Sequence, residues 1–299
     1  MCMALFKKKT TLVHHITYMG IMTAINLIFI VLATYIPLMM LLLILLLPFA
    51  STIVSYFCLK RYYLIYAVAS VGLCLIFNIS DTLFYVVPAI ISGFFIGVLL
   101  DKAVHPFWMV LSSTIINAAL TYAFIPLINF LSNADIVLAF LTIFRLTEFP
   151  YRIELVYLFI LFISLVQCAL THFVLLSDAK KMGIEINTRI NCFAPYIIGL
   201  ELCVLLSVCF GFFYLPLSLS FVAISLYFAT FLLIDLMMSK KIFIYVIFGI
   251  SMFTGLLLFA LFYQQLSKPY GMILFALFPL LTGIVSFVKN YLLKQSANN

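Results

Sequence analysis

Runs of roughly 20 apolar residues, separated by short polar clusters, repeat along nearly the whole chain. A helix needs about 20 such residues to cross roughly 30 Å of hydrocarbon. Polar punctuation and turn residues place spans near 17–36, 38–58, 62–79, 82–100, 107–131, 154–176, 195–213, 215–238, 242–263 and 270–289. The second is interrupted by Pro37 and Pro48, so a re-entrant hairpin is an alternative to a full crossing there. Strict apolar/polar alternation is missing, which argues against an outer-membrane barrel. The expected fold class is all-α, a polytopic transmembrane helical bundle of about ten spans.

Composition agrees. Hydrophobic residues make up 67% of the 299 and charged ones 8%, against about 25% charged in a soluble domain. Mean hydropathy is +1.31. The net charge of +7 would suggest an anionic partner in a soluble chain, but here the basic residues sit between spans and report topology rather than nucleic acid. With a cytoplasmic N-terminus, thirteen of the sixteen Lys and Arg fall on inner segments, and only Arg145, Arg152 and Lys268 fall outside. That asymmetry predicts both termini in the cytoplasm. The start, Lys7 to Lys9 before an apolar run, resembles a secretory signal, but the run exceeds an h-region and lacks a clear cleavage site, so an uncleaved first span is expected. The seven cysteines show no CxxC or Cys/His spacing, so neither a disulfide framework nor a metal site is expected.

Two connections are long. The outer one, Ser132 to Arg152, carries Ile136 to Leu146, too short to span, and reads as an interfacial helix or lid. The inner one, Ser177 to Asn191, is the most polar part of the chain. It divides a six-helix domain, 1–176, from a four-helix domain, 195–299, with a cytoplasmic linker at 177–194. No sequence repeat relates the two parts.

Polar side chains within spans tend to face the bundle interior or an aqueous cavity. On the fifth span Ser113, Asn117 and Thr121 recur every four residues on one face, with Tyr122 beside them and Asn129 at the outer end. The sixth carries Ser164, Gln167 and Thr171, with Glu154 and Tyr157 nearer the outer surface. These stripes line either a solute pocket or a set of interhelical hydrogen bonds. Asn78, Asp81 and Tyr85, between the third and fourth spans, either complete such a pocket or form a helix cap through Ser80 or Asp81. Glu201 and Asp235 lie within the seventh and eighth spans; a proton relay is conceivable, but reaching the interface, or pairing of Asp235 with Lys240 or Lys241, is the plainer reading. His14, His15, His105 and His172 lie near inner helix ends and read as interfacial.

Gly93 with Gly97, and Gly20 with Ala24, are small-xxx-small pairs that let backbones approach closely, for packing within the chain or for docking a partner. There is no GxxxxGK[ST], HExxH or GxSxG pattern, so intrinsic ATPase, common metalloprotease and esterase chemistry lack their usual signatures. No enzymatic activity and no cofactor are expected.

The stop at Tyr35, Ile36 and Pro37, the Leu-rich run 38–47 ending at Pro48, the stretch Pro88 to Gly97 leading to Asp101 and Lys102, the inner segment Leu176 to Asn191 and the terminal helix ending near Lys289 resemble the YybS-like family of bacterial polytopic membrane proteins. That family is largely uncharacterised, and its N-terminal six-helix part is similar to the substrate-binding S components of energy-coupling-factor vitamin transporters. The resemblance implies a bacterial cytoplasmic membrane location and an outward solute site roofed by outer loops. It also implies a small-residue face on the first helix, matched by Gly20 and Ala24, that docks a transmembrane coupling protein with ATPase subunits. The four C-terminal spans depart from the six-helix plan.

The expected function is therefore small-solute binding or transport through an outward-facing pocket of Asn78, Asp81, Tyr85, Asn117, Thr121, Tyr122, Glu154 and Tyr157. The alternative is a non-transporting scaffold or regulator acting through the inner loops around Lys180, Lys181 and Arg189.

Overall fold

A computed structural model describes residues 8–9, 11–36, 39–133, 135–143, 147, 152–182, 193–237, 245–247, 249–251, 253–255 and 273–298. Among these residues the regular structure is helical, without strands. The helices are α1 (Leu12–Tyr35), α2 (Met39–Phe57), α3 (Tyr63–Phe77), α4 (Ile79–Asp81), α5 (Val87–Asp101), α6 (Pro106–Ser132), α7 (Ile136–Ile143), α8 (Arg152–Met182), α9 (Phe193–Gly211), α10 (Leu215–Met237) and α11 (Ile273–Asn298). Helical residues also occur between 245 and 255.

Six segments of the described chain are long and apolar enough to cross a membrane: Leu12–Leu32, Lys60–Phe77, Ile79–Asp101, Pro106–Ser132, Arg152–Ser177 and Leu215–Met237. The other expected spans fall on shorter described apolar stretches, including Leu47–Phe57, Pro195–Gly211 and Ala276–Tyr291. The backbone of α2 is one continuous helix with Pro48 inside it, rather than a hairpin. Its 19 residues span about 28 Å at 1.5 Å each.

The chain forms two compact units, Met1–Ile136 with Ile163–Arg189, and Val137–Phe162 with Ile190–Asn299. Residues 137–162, which the sequence reading joins to the N-terminal spans, group in this division with the C-terminal helices.

In the first unit polar side chains share the interior with apolar ones such as Ile30, Ile53, Ile90 and Ile96, while many large apolar residues face out. On α3, Leu64 is 70% and Ile76 76% exposed, whereas Tyr66 and Ser70 are buried. On α1, Thr23 and Asn26 are buried while Val13, Ile16 and Ile28 face out. Outward apolar residues beside inward hydrogen-bonding groups on these two helices are an arrangement that hydrocarbon surroundings favour. Asn26 Nδ2 donates to Tyr66 Oη at 2.8 Å, Ser51 Oγ meets the same oxygen at 3.1 Å, and Thr23 and Ser70 hydroxyls pair at 3.0 Å. This network joins α1, α2 and α3.

Helices α2 and α5 cross closely because small residues meet there. A Cβ placed on Gly93 would stand 2.6 Å from Ser51 Cβ and 2.7 Å from the Pro48 carbonyl; on Gly97 it would stand 2.6 Å from Ser55 Cβ and 2.8 Å from the Thr52 carbonyl. Ser55 Oγ donates to the Phe94 carbonyl at 3.0 Å, and Tyr63 Oη to that of Ile90 at 2.6 Å. Gly93 and Gly97 are therefore occupied within the chain, which corrects their reading as a docking face. Gly20 and Ala24 lie on the exposed face of α1, and nothing stands within 4 Å of a Cβ on Gly20.

In the second unit α7 packs through Phe140 on Phe159, ring centroids 4.5 Å apart, and on the cluster of Leu155, Leu215 and Leu219. Tyr196 of α9 stacks on Phe231 of α10, and Ser218 Oγ donates to the Ser207 carbonyl at 2.7 Å. Helix α11 joins them through Lys289, whose Nζ donates to the Asp235 carbonyl at 3.0 Å and pairs with its carboxylate. Lys289 is thus a partner of Asp235 that the sequence did not suggest; Lys240 and Lys241 lie outside the described residues. Glu201 is partly buried, its Oε1 2.8 Å from where a Cβ on Gly283 would stand.

Candidate functional site

Between α3 and α5 the chain makes one turn, α4, and a π-helical turn, Thr82–Val86, in which the Val87 amide donates to the Thr82 carbonyl. Pro88, which follows, has no N–H to offer the preceding turn, a local reason for the widened helix. Asn78 opens this turn: its Oδ1 accepts from the Asp81 amide at 3.0 Å while its Nδ2 donates to Asp81 Oδ2 at 2.6 Å. The cap expected at Ser80 or Asp81 is thus supplied by Asn78, and Asp81 is the acceptor three residues on. This satisfies two donors reciprocally, in the manner of a capping box. Tyr85 is partly buried within the π turn, against the Phe84 ring.

Within the first unit, the polar stripes of α6 and α8 meet. Asn117 Nδ2 donates to Gln167 Oε1 at 2.6 Å, and both side chains are buried. Thr121 Oγ1 donates to the Asn117 carbonyl at 3.0 Å, and Thr171 Oγ1 to that of Gln167 at 2.9 Å. The i, i+4 spacing that puts Ser113, Asn117 and Thr121 on one face also lets the threonine hydroxyl reach the carbonyl one turn back. Tyr122 is partly buried beside Thr121. Asn129 has another task, since its Oδ1 accepts from the Ile136 amide at 3.0 Å and holds the first turn of α7.

The seam has unused hydrogen-bonding capacity. Ser113 Oγ, Gln167 Nε2 and both ring nitrogens of His172 are buried without a partner among the described residues. His172 and His15 are both buried. His105 is partly buried and its Nδ1 accepts from the Phe107 amide at 3.2 Å. A buried polar group without a partner costs about 1–3 kcal/mol, and hydrocarbon supplies no water to relieve it. Amide, hydroxyl and imidazole groups together can donate to and accept from a polar guest.

Glu154 and Tyr157 belong to the second unit, Glu154 partly buried in the first turn of α8 and Tyr157 exposed. Arg145, Glu148 and Arg189 lie outside the described residues. Among the described residues no group of three His, Cys, Asp or Glu could hold a metal ion. The sequence reading assigned no role to Tyr66, Asn26 or Ser51, although polar side chains at three- and four-residue steps on α1 and α2 carry the same signal as α6. Comparison with protein families, curated proteins and solved structures gives no match for this chain.

Proposed function

We propose that the protein is a multi-pass membrane protein of about ten spans, with both ends in the cytoplasm, that binds a small polar solute between α6 and α8. The observation that carries this reading is the buried seam of Asn117 and Gln167 with the unpartnered Ser113 Oγ, Gln167 Nε2 and His172 nitrogens. Purely structural interhelical bonds would use that capacity up. The groups of the seam are amides, hydroxyls and an imidazole, so the solute is polar and without a strong net charge. The positive-inside asymmetry supports the topology. The bare α1 face at Gly20 and Ala24 is compatible with docking a transmembrane coupling protein, as in the YybS-like and S-component resemblance. In that comparison the chain is a binding or transport component and not an enzyme.

Substitution separates this reading from that of a scaffold. Solute binding by the purified protein should disappear in Asn117→Leu and fall in Ser113→Ala and Tyr122→Ala, with Lys180→Glu unaffected. A phenotype confined to Lys180→Glu would refute solute binding and favour a partner at the inner loops.

A further inference from the structure

At the end of the first unit opposite Asn78, the segment leading into α1 lies back over the end of α2, where the Lys9 amide donates to the Phe57 carbonyl at 2.9 Å. Beyond Phe57 the chain turns into a single 3-10 turn, Lys60–Tyr62, and α5 ends nearby at Asp101. These pieces border an open cavity of about 380 Å³ lined by Lys8, Lys9, Lys60, Arg61, Asp101 and residues 55–59. That volume lies within the range of small-ligand pockets, about 300–1,000 Å³.

Four cationic side chains and one carboxylate line the cavity. Asp101 is shared, Oδ1 with Lys8 Nζ at 2.9 Å and Oδ2 with Lys60 Nζ at 3.1 Å. Lys9 Nζ lies 4.5 Å from the Tyr18 ring centroid and the Arg61 guanidinium 4.7 Å from that of Tyr62. Rings in these positions steady a cation by attraction to the π face. Arg61 pairs with no carboxylate among the described residues. The cavity lining thus carries a surplus of positive charge and offers the fork geometry of arginine beside ammonium groups. Phosphate oxygens suit that donor set, and basic pockets between the ends of membrane helices receive phosphate headgroups.

We propose that this cavity binds a phosphate-bearing anion, which competes with Asp101 for Lys8 and Lys60 and is gripped by Lys9 and Arg61. Such a site is separate from the α6–α8 seam and does not depend on it.

The test uses the full-length protein in neutral detergent, with thermal unfolding followed at matched ionic strength. One arm adds inorganic phosphate; the other adds phosphatidic acid mixed into phosphatidylcholine. Stabilisation by the lipid alone identifies a headgroup site, by both probes a site for the phosphate group whatever carries it, and by phosphate alone a soluble ligand. Arg61→Gln and Lys9→Gln should each weaken the effect tenfold or more, while Lys102→Gln, outside the cavity lining, should leave it unchanged. Asp101→Asn should tighten binding, because the competing carboxylate charge is gone. No stabilisation by either probe, or equal weakening by Lys102→Gln, overturns the proposal. Should Asp101→Asn fail to fold, the contrast of Arg61→Gln with Lys102→Gln still decides.

Discussion

The close crossing of α2 and α5 makes a quantitative prediction for one methyl group. In Gly97→Ala the new Cβ would stand 2.6 Å from Ser55 Cβ, 2.7 Å from Ser55 Oγ and 2.8 Å from the Thr52 carbonyl, whereas carbon atoms in contact prefer about 3.5–4.0 Å. The helices must separate by roughly 1 Å to accommodate it. The obstacle includes backbone, so a rotamer change at Ser55 cannot remove it. Separation also stretches the bond from Ser55 of α2 to the Phe94 carbonyl of α5. Overpacking of this kind costs about 1–3 kcal/mol, and Gly93→Ala should behave likewise. The double variant should lose less than the sum, because α5 has already moved for the first methyl. Gly20→Ala and Gly72→Ala, with nothing within 4 Å of the added carbon, should stay within about 0.5 kcal/mol of the parent or gain slightly from helix propensity. Reversible unfolding of the purified protein by ionic detergent in mixed micelles measures all five. If Gly97→Ala proves as harmless as Gly20→Ala, the α2–α5 packing described above is wrong.

Three further outcomes follow from the same structure. Tyr66→Phe removes the oxygen shared by Asn26 and Ser51 and should destabilise by about 1–2 kcal/mol, the upper range for membrane hydrogen bonds, in the same unfolding assay; Tyr35→Phe, on an exposed ring, should do nothing. Lys289→Met strips the partner from Asp235, and since Lys289 is 8% and Asp235 41% exposed, the loss should be smaller than the roughly 3–5 kcal/mol of a fully buried pair. A double variant with Asp235→Leu should recover most of it. The hydrogen bond to Asp101 raises the Lys8 pKa above its ordinary 10.5. That contribution is fully present below the ordinary value and lost as pH rises through the raised one. Compared over alkaline pH, parent and Lys8→Gln should therefore converge in stability, by a small amount because Lys8 is mostly exposed.

The sequence makes much of this legible at the level of single helices. A four-residue step puts Ser113, Asn117 and Thr121 on one face whatever the tertiary fold, and the buried stripe follows from it. Partners are a different matter. That Asn117 meets Gln167, or that Asp235 meets Lys289 54 positions away, depends on which helices are neighbours and at what height, and helical periodicity is silent on both. The GxxxG of α5 announces a close approach without saying to what, so chain and partner were equally compatible readings until α2 was found against it. Asn78 escaped as a cap because an Asn at a helix end and a Ser or Asp two or three residues on look alike as capping residues. His172 escaped because distance from a helix end says nothing about which side of the helix is covered. The basic cavity was invisible for a further reason: Lys8, Arg61 and Asp101 come from the N-terminal segment and two separate connections, and the basic residues there read only as topology signals.

Solute binding at the α6–α8 seam is tested most directly by native mass spectrometry of the protein gently extracted from its own membrane, with co-purifying small molecules and protein partners detected together. The expected result is a stoichiometric polar small molecule that disappears in Asn117→Leu and persists in Arg61→Gln. An empty seam together with a reproducible protein partner would contradict it, and would transfer the function to the inner loops.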